Sequence, residues 1–215
     1  MADHAFNRER QELADILRKK GISDDRVLAA IASVHRHRFV QSALIHRAYE
    51  DVALPIGLNQ TISQPYTVAV MTQALGVQPG DRILEIGTGS GYQAAILATM
   101  GCQVFTIERH LELMNQARTL LETLGYRVVF RCADGTLGWS NYAPYNGIVV
   151  TAGAPVVPDS LIKQLKPGGR LVIPVGDERI QNLKVIRLLD DNRTHTDTIE
   201  GFKFVPLIGV HGWKS

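Results

Sequence analysis

Residues Asp81–Gln93 read D-R-I-L-E-I-G-T-G-S-G-Y-Q, and this stretch restricts the fold more than any other. A short apolar run, Ile83, Leu84 and Ile86, ends at Gly87, Gly89 and Gly91, and a helical pattern follows at once. In α/β proteins, a buried strand that turns through glycines into a helix presents backbone N–H groups to a nucleotide-like ligand. Dinucleotide sites space their glycines as G-x-G-x-x-G. Here the last of those positions is Tyr92 and the pattern is G-x-G-x-G, which argues against NAD and for a ligand without a pyrophosphate.

The next strand-like run, 103–107, ends in Glu108. An acid about 20 residues past the glycine loop, at the tip of the second strand, is placed to hydrogen-bond a ribose diol. No phosphate-cradling loop with its Lys accompanies it. Either feature alone is weak, because lone glycine loops are common and a strand-end Glu is often only solvated. Together, in this order, they suit S-adenosylmethionine.

The chain of 215 residues suffices for one sizeable α/β domain, or for that domain with a small extension. Its net charge of +2 gives no electrostatic case for a polyanion partner. No apolar run approaches the roughly 20 residues that span a bilayer, and the first ten residues have no apolar core for a secretion signal. Cys102 and Cys132 lie in strand-like surroundings without a C-x-x-C pattern, which predicts buried free thiols in a reducing cytoplasm.

Leu13, Ile16 and Leu17 give one apolar face to a helix over 7–20 that Gly21 stops. Ser23 reads as the cap of a second helix, with Asp24 and Asp25 in its positive first turn. In His35-Arg36-His37-Arg38 the two His are poorly spaced as joint ligands, and no nearby carboxylate or Cys completes a metal site. Residues 39–66 are irregular and polar, either an extended linker or a functional cover. Within them Thr61 and Ser63 face the same side if the backbone is extended. Pro65 biases Gln64 away from helix, and a helix is expected over 67–75. Ser63 either caps that helix or offers a hydroxyl over the cofactor; the local sequence leaves both open.

Strands at 82–86, 103–107, 128–132 and 147–151 alternate with helices at 91–100, 111–124 and 158–165. This predicts a mostly parallel sheet with helices on both faces. Pro167-Gly168-Gly169 reads as a turn feeding a strand at 170–174. Runs at 183–189 and 198–205, joined by the polar D-D-N-R-T-H-T-D, complete seven strands. Asp134-Gly135 follows the third strand on the same rim as Glu108. Its carboxylate takes an adenine amine or makes an Asp-Gly turn, and both readings stand at this point.

From about Val34 to Trp213 the chain resembles the protein-L-isoaspartate O-methyltransferase family. The resemblance is carried by V-H-R-H-R-F-V, Q-T-I-S-Q-P, L-E-I-G-T-G-S-G-Y, T-A-G-A-P, L-K-P-G-G-R-L-V-I-P-V-G and F-V-P-L-I-G. The glycine loop is shared by most methyltransferases, whereas the Q-T-I-S-Q-P and T-A-G-A-P blocks are far more specific. The resemblance implies a Rossmann-like class I S-adenosylmethionine-dependent methyltransferase domain over 1–215. Residues 1–76 would form a helical, substrate-side segment, and 77–215 the cofactor-binding core with its C-terminal strands.

It further implies methylation of the free α-carboxylate of isoaspartyl residues in damaged proteins, giving an ester that collapses to a succinimide and partly returns to Asp. Matched position by position, Ser63 stands at the family's active-site residue; Thr61 beside it reads as a second catalytic hydroxyl because either group can orient an acceptor carboxylate without quenching it. Gln60, Thr61, Ile62 and Ser63 line the cofactor. Gly87 and Gly89 approach its methionine part, Glu108 its ribose, and Asp134 and Gly135 its adenine. Glu85, Thr88, Gly91 and Arg109 complete the cofactor set, and Ser63 and Ile208 face the substrate. The product is S-adenosyl-L-homocysteine, no metal is involved, and the enzyme is expected to be a cytoplasmic monomer without nucleic-acid or membrane partners.

One departure is Asn146, where the family pattern usually has Asp; Asn146-Gly147 is also a dipeptide prone to deamidate. The alternative function is a methyltransferase acting on another carboxylate or a small molecule. Base amino groups are disfavoured, because an N-P-P-Y-like turn is usual after the fourth strand where this chain has T-A-G-A-P. A binding module that has lost catalysis is disfavoured by the intact glycine loop, Glu108, Asp134 and Ser63.

Overall fold

The computed structural model describes residues 6–214. Helices α1 (Asn7–Lys19) and α2 (Asp25–Ser33) bury Leu13 and Leu17 against Val27, Leu28 and Ile31. Asp24, not Ser23, caps α2. Its carboxylate accepts from the Arg26 N–H at 2.9 Å, while the Ser23 N–H donates to Oε1 of Gln73 at 2.7 Å. Such a cap is worth about 1 kcal/mol, and an ionised one also meets the positive end of the helix.

The basic run after α2 is a clasp for the core. Arg36 is fully buried, and it donates to the carbonyls of Ala48 at 2.9 Å and Val52 at 3.2 Å. Its guanidinium lies 5.0 Å from the centre of the Tyr92 ring. His37 Nδ1 is 2.7 Å from the Tyr49 hydroxyl. This run therefore fastens the 39–66 cover to the rest of the molecule.

That cover contains a hairpin of β1 (Leu54–Gly57) and β2 (Gln60–Ile62). Its turn is Leu58-Asn59, with φ of 49° and 57°. Two positive φ values make a primed hairpin turn, but Leu seldom adopts them, so the sequence carries no turn signal there. The hairpin runs into α3 (Pro65–Leu75), which has Gln64 at its cap and Pro65 in its first turn. Ser63 is thus not the cap.

The main sheet is built from β3 (Arg82–Ile86), β4 (Gln103–Glu108), β5 (Val128–Cys132), β6 (Tyr145–Val150), β7 (Leu165–Gly176), β8 (Gln181–Leu188) and β9 (Thr194–Phe202). Helices α4 (Tyr92–Thr99), α5 (Leu111–Thr123) and the short α6 (Asp159–Ile162) lie in the connections. The strand order is β5-β4-β3-β6-β7-β8-β9, parallel from β5 to β7 and antiparallel beyond. Residues Ile83 to Ile86 are all buried, as expected of a parallel strand covered on both faces. The order reverses at β3, between β4 on one side and β6 on the other. A crevice opens beyond the carboxyl ends of the strands at such a switch point.

Several expectations change in the C-terminal half. The helix expected over 158–165 shrinks to the four residues of α6. Pro167-Gly168-Gly169 lies inside β7, where the pairing with β6 shifts register. Gly169 is required there: a Cβ would stand 2.8 Å from the Lys166 carbonyl oxygen and 3.0 Å from those of Asn146 and Tyr145. Strand β9 begins at Thr194, inside the stretch read as a polar connection, and all of it but Phe202 is exposed. It is the outer edge of the sheet, so it has no apolar alternation to betray it. Cys102 is buried as expected, but Cys132 is exposed on the opposite edge strand. Among the described residues, no helix is long and apolar enough to cross a membrane.

Candidate active site

The glycine loop leaves β3 with φ of 96° at Gly87, 51° at Gly89 and 86° at Gly91. At Gly87 any Cβ would collide with the Thr151 hydroxyl. That hydroxyl leaves the end of β6 and donates to the Gly87 carbonyl at 2.7 Å, so the loop is braced from the far side of the switch point. From the near side Glu108, at the tip of β4, accepts from the Gly89 N–H at 3.0 Å and from the His110 N–H at 3.0 Å. Each carboxylate oxygen keeps a lone pair in reserve, and Glu108 faces the cavity below. Gly91 sits behind the loop as the cap of α4.

Glu85 is completely buried. Burial pushes its carboxyl up to about 8; the Thr106 hydroxyl opposes this and the charge of Glu108 adds to it. Thr106 donates to Oε2 of Glu85 at 2.6 Å and is linked in turn to the Thr88 hydroxyl at 2.6 Å. Oε1 of Glu85 has no partner among the described residues.

Three cavities follow one another along this rim. The first lies under the glycine loop, between Gln60–Ser63 and Glu85, Gly87, Thr88 and Gly89. The second, about 260 Å³, is bounded by Glu108, Arg109, Gly135 and Ile208, with Gln60 shared with the first. The third, about 550 Å³, opens between Thr61, Ser63 and Tyr66 on one side and 199–205 on the other. Thr61, Ser63 and Thr151 line both the first and third cavities. Val205 lines all three. Thr151 has a sequence signal, the small-residue turn leaving β6 opposite the glycine loop. Val205 has none, since it belongs to no glycine or acid pattern.

Two residues lie elsewhere than the sequence suggests. Ile208 borders the Glu108–Gly135 cavity rather than the one beside Ser63. The cause is the run after β9: the Gly153 N–H donates to the Val205 carbonyl at 2.8 Å and the Leu207 N–H to the Gly153 carbonyl at 2.8 Å. These bonds lay 205–208 along the end of β6 and carry Ile208 toward Gly135. Asp134 makes the Asp-Gly turn: one oxygen accepts from the Thr136 N–H at 2.8 Å and the other from the Val210 N–H at 2.8 Å. Burial acts against its ionisation, but these donors and the Thr136 hydroxyl hold the carboxyl below its ordinary value. Gly135, and not Asp134, reaches the cavity wall.

The family model described as Protein-L-isoaspartate(D-aspartate) O-methyltransferase matches residues 7–212. The chain belongs to this family. Among similar protein-L-isoaspartate O-methyltransferases, that of Salinibacter ruber is 52% identical over 216 residues, covering 96% of this chain and 94% of its own. A solved protein-L-isoaspartate O-methyltransferase superposes with a TM-score of 0.85 at 31% identity, over 94% of this chain and 67% of that one. A Plasmodium falciparum chain solved in complex with S-adenosyl-L-homocysteine shares the fold, with a TM-score of 0.79 at 24% identity over 93% of this chain and 98% of that one. The Rossmann-like class I methyltransferase fold expected from the sequence is the fold of the molecule.

Proposed function

We infer that this chain transfers the methyl group of S-adenosylmethionine to the free α-carboxylate of L-isoaspartyl residues in proteins and peptides. The observation that carries this, given the family, is that Thr61 and Ser63 stand in the wall shared by the glycine-loop cavity and the large open cavity. One cavity suits a cofactor's methionine end and the other an acceptor, with two hydroxyls where they meet. The residues present fit the cofactor. Glu108 keeps free lone pairs for a diol, Gly135 and Arg109 border the adjoining space, and Glu85 holds a buried oxygen without a partner among the described residues.

When bound, the cofactor supplies a methyl group on a sulfonium, an electrophile that needs no acid or base to activate it. The acceptor carboxylate is already ionised near neutral pH, so the chain need not supply a general base. Ser63 and Thr61 orient that carboxylate by donating hydrogen bonds while leaving it a charged oxygen to react. Strand β2 carries Thr61 to the junction of the two cavities. Positioning of this kind can supply on the order of 7–11 kcal/mol. The reading extends to a cytoplasmic monomer acting on flexible peptide segments; the near-neutral net charge of +2 supports peptides over nucleic acid.

The test is radiolabelled methyl transfer to paired peptides, one with isoaspartate and one with normal Asp. Base-labile label on the isoaspartyl peptide alone is expected. Cofactor binding without label on either peptide would move the search to other carboxylate acceptors.

A further inference from the structure

Two oxygens on the glycine-loop cavity have no hydrogen-bond partner among the described residues: Oε1 of Glu85 and Oε1 of Gln93. Glu85 is 0% and Gln93 6% exposed, and a buried acceptor left without a donor is costly. The orientation of the Gln93 amide is set by its neighbour. Thr72 uses its single hydroxyl proton on the Val68 carbonyl, at 2.7 Å, so toward Gln93 it can only accept. The atom of Gln93 that meets Thr72 at 3.0 Å is therefore the amide nitrogen, and the oxygen is left for the cavity. Gln93 is thereby held as an acceptor. The Tyr92 hydroxyl is also unpartnered there, but a hydroxyl serves in either role and does not decide the ligand's polarity.

The Gln93 oxygen is a fixed acceptor, and Glu85, protonated near neutral pH in the ligand-free chain, becomes a second acceptor when a neighbouring cation favours its charged form. Together they select a group that offers several N–H donors at once and carries positive charge. We propose that Gln93, acting beside Glu85, receives the α-ammonium of the cofactor's methionine end and makes the site select for a ligand that carries it. This rests on the S-adenosylmethionine reading given above. Gln93 is two residues past the last glycine of the loop and stands outside every pattern that marks the loop itself. Its role becomes legible only through the Val68–Thr72–Gln93 chain of hydrogen bonds, which joins α3 to α4.

The experiment is calorimetric binding of S-adenosyl-L-homocysteine and of its desamino analogue, in which hydrogen replaces the ammonium. Both are titrated into the unaltered chain, Gln93→Met and Thr72→Val. Met keeps the length of the side chain and removes the oxygen; Val removes the hydroxyl that orients the amide. The unaltered chain is expected to prefer S-adenosyl-L-homocysteine by roughly ten- to hundredfold. Gln93→Met is expected to weaken that ligand about tenfold while leaving the desamino analogue unchanged. Thr72→Val should move the same way by less.

Equal weakening of both ligands in Gln93→Met would show a packing role and overturn the proposal. No weakening of either would overturn it too, by showing that water satisfies the oxygen. Should Gln93→Met not fold, unchanged selectivity in Thr72→Val overturns it. If S-adenosyl-L-homocysteine does not bind the unaltered chain at all, the cofactor reading itself falls first and takes this proposal with it.

Discussion

Glu108 and Gly89 are joined by a hydrogen bond of 3.0 Å from the Gly89 N–H to the Glu108 carboxylate, although they leave different strands. The bond ties the tip of β4 to the middle of the glycine loop, so one side chain both shapes the loop and faces the neighbouring cavity. Glu108→Ala would remove the brace and the diol acceptor together. A charged hydrogen bond is worth about 1.5–3 kcal/mol, so S-adenosyl-L-homocysteine should bind roughly ten- to hundredfold more weakly. Calorimetric titration checks this. An unchanged affinity would remove Glu108 from the cofactor site.

Ser63 offers a sharper separation of roles. It stands at the junction of two cavities and does not cap α3, whose cap is Gln64. Ser63→Ala should therefore leave fold and cofactor affinity nearly unchanged while lowering kcat by about ten- to hundredfold, the scale of one or two orienting hydrogen bonds. Steady-state kinetics with an isoaspartyl peptide, beside a cofactor titration, measure both. Full turnover in the variant would leave orientation of the acceptor to Thr61.

The core of the fold and the glycine-loop side of the site were legible in the sequence because their constraints are local. A buried strand, three glycines and an acid at the next strand end occupy fewer than 30 consecutive positions, and spacing alone places them at one rim. What was not legible depends on partners distant in the chain. The Leu58-Asn59 turn adopts a conformation its residue types do not advertise, and β9 is an edge with no face to bury. Ile208 follows bonds between 205–207 and Gly153, and Asp134 is claimed by Val210, 76 residues away. The Ser63 alternatives, cap or cavity hydroxyl, likewise needed the helix start at Pro65 to separate them.

Glu85 makes stability depend on pH in a stated direction. Burial raises its carboxyl from 4.5 to about 8, with Thr106 opposing and Glu108 adding. Between those values the folded chain keeps a proton that the unfolded chain has released. The contribution of this group is full below about pH 4.5, declines as pH rises through the window and is lost above about 8, at up to about 1.4 kcal/mol per pH unit. The Tm of the ligand-free chain is expected to fall between pH 6 and 8, and Glu85→Gln to flatten that slope. Equal slopes in the two chains would mean that Glu85 is already ionised in the fold.

Asn146 tests whether structure can silence a sequence liability. Its side-chain oxygen accepts from the Arg82 N–H at 3.1 Å, and its amide nitrogen donates to the Asp81 carboxylate. Deamidation requires the Gly147 nitrogen to attack the Asn146 side-chain carbonyl, but Gly147 is paired in the sheet with Ile83 and Arg170. Asn146 should therefore survive warm incubation of the folded chain and convert once the chain is unfolded in urea; peptide mapping reads both. Conversion at equal rates would show that the strand gives no protection. Asn146→Asp would replace the donor to Asp81 with a second carboxylate, which must then take up a proton or repel its neighbour. The expected loss is about 1–3 kcal/mol at pH 7, smaller at pH 5. Urea unfolding of both chains at the two pH values measures it, and an equal loss at both would mean that the introduced carboxylate turns away from Asp81.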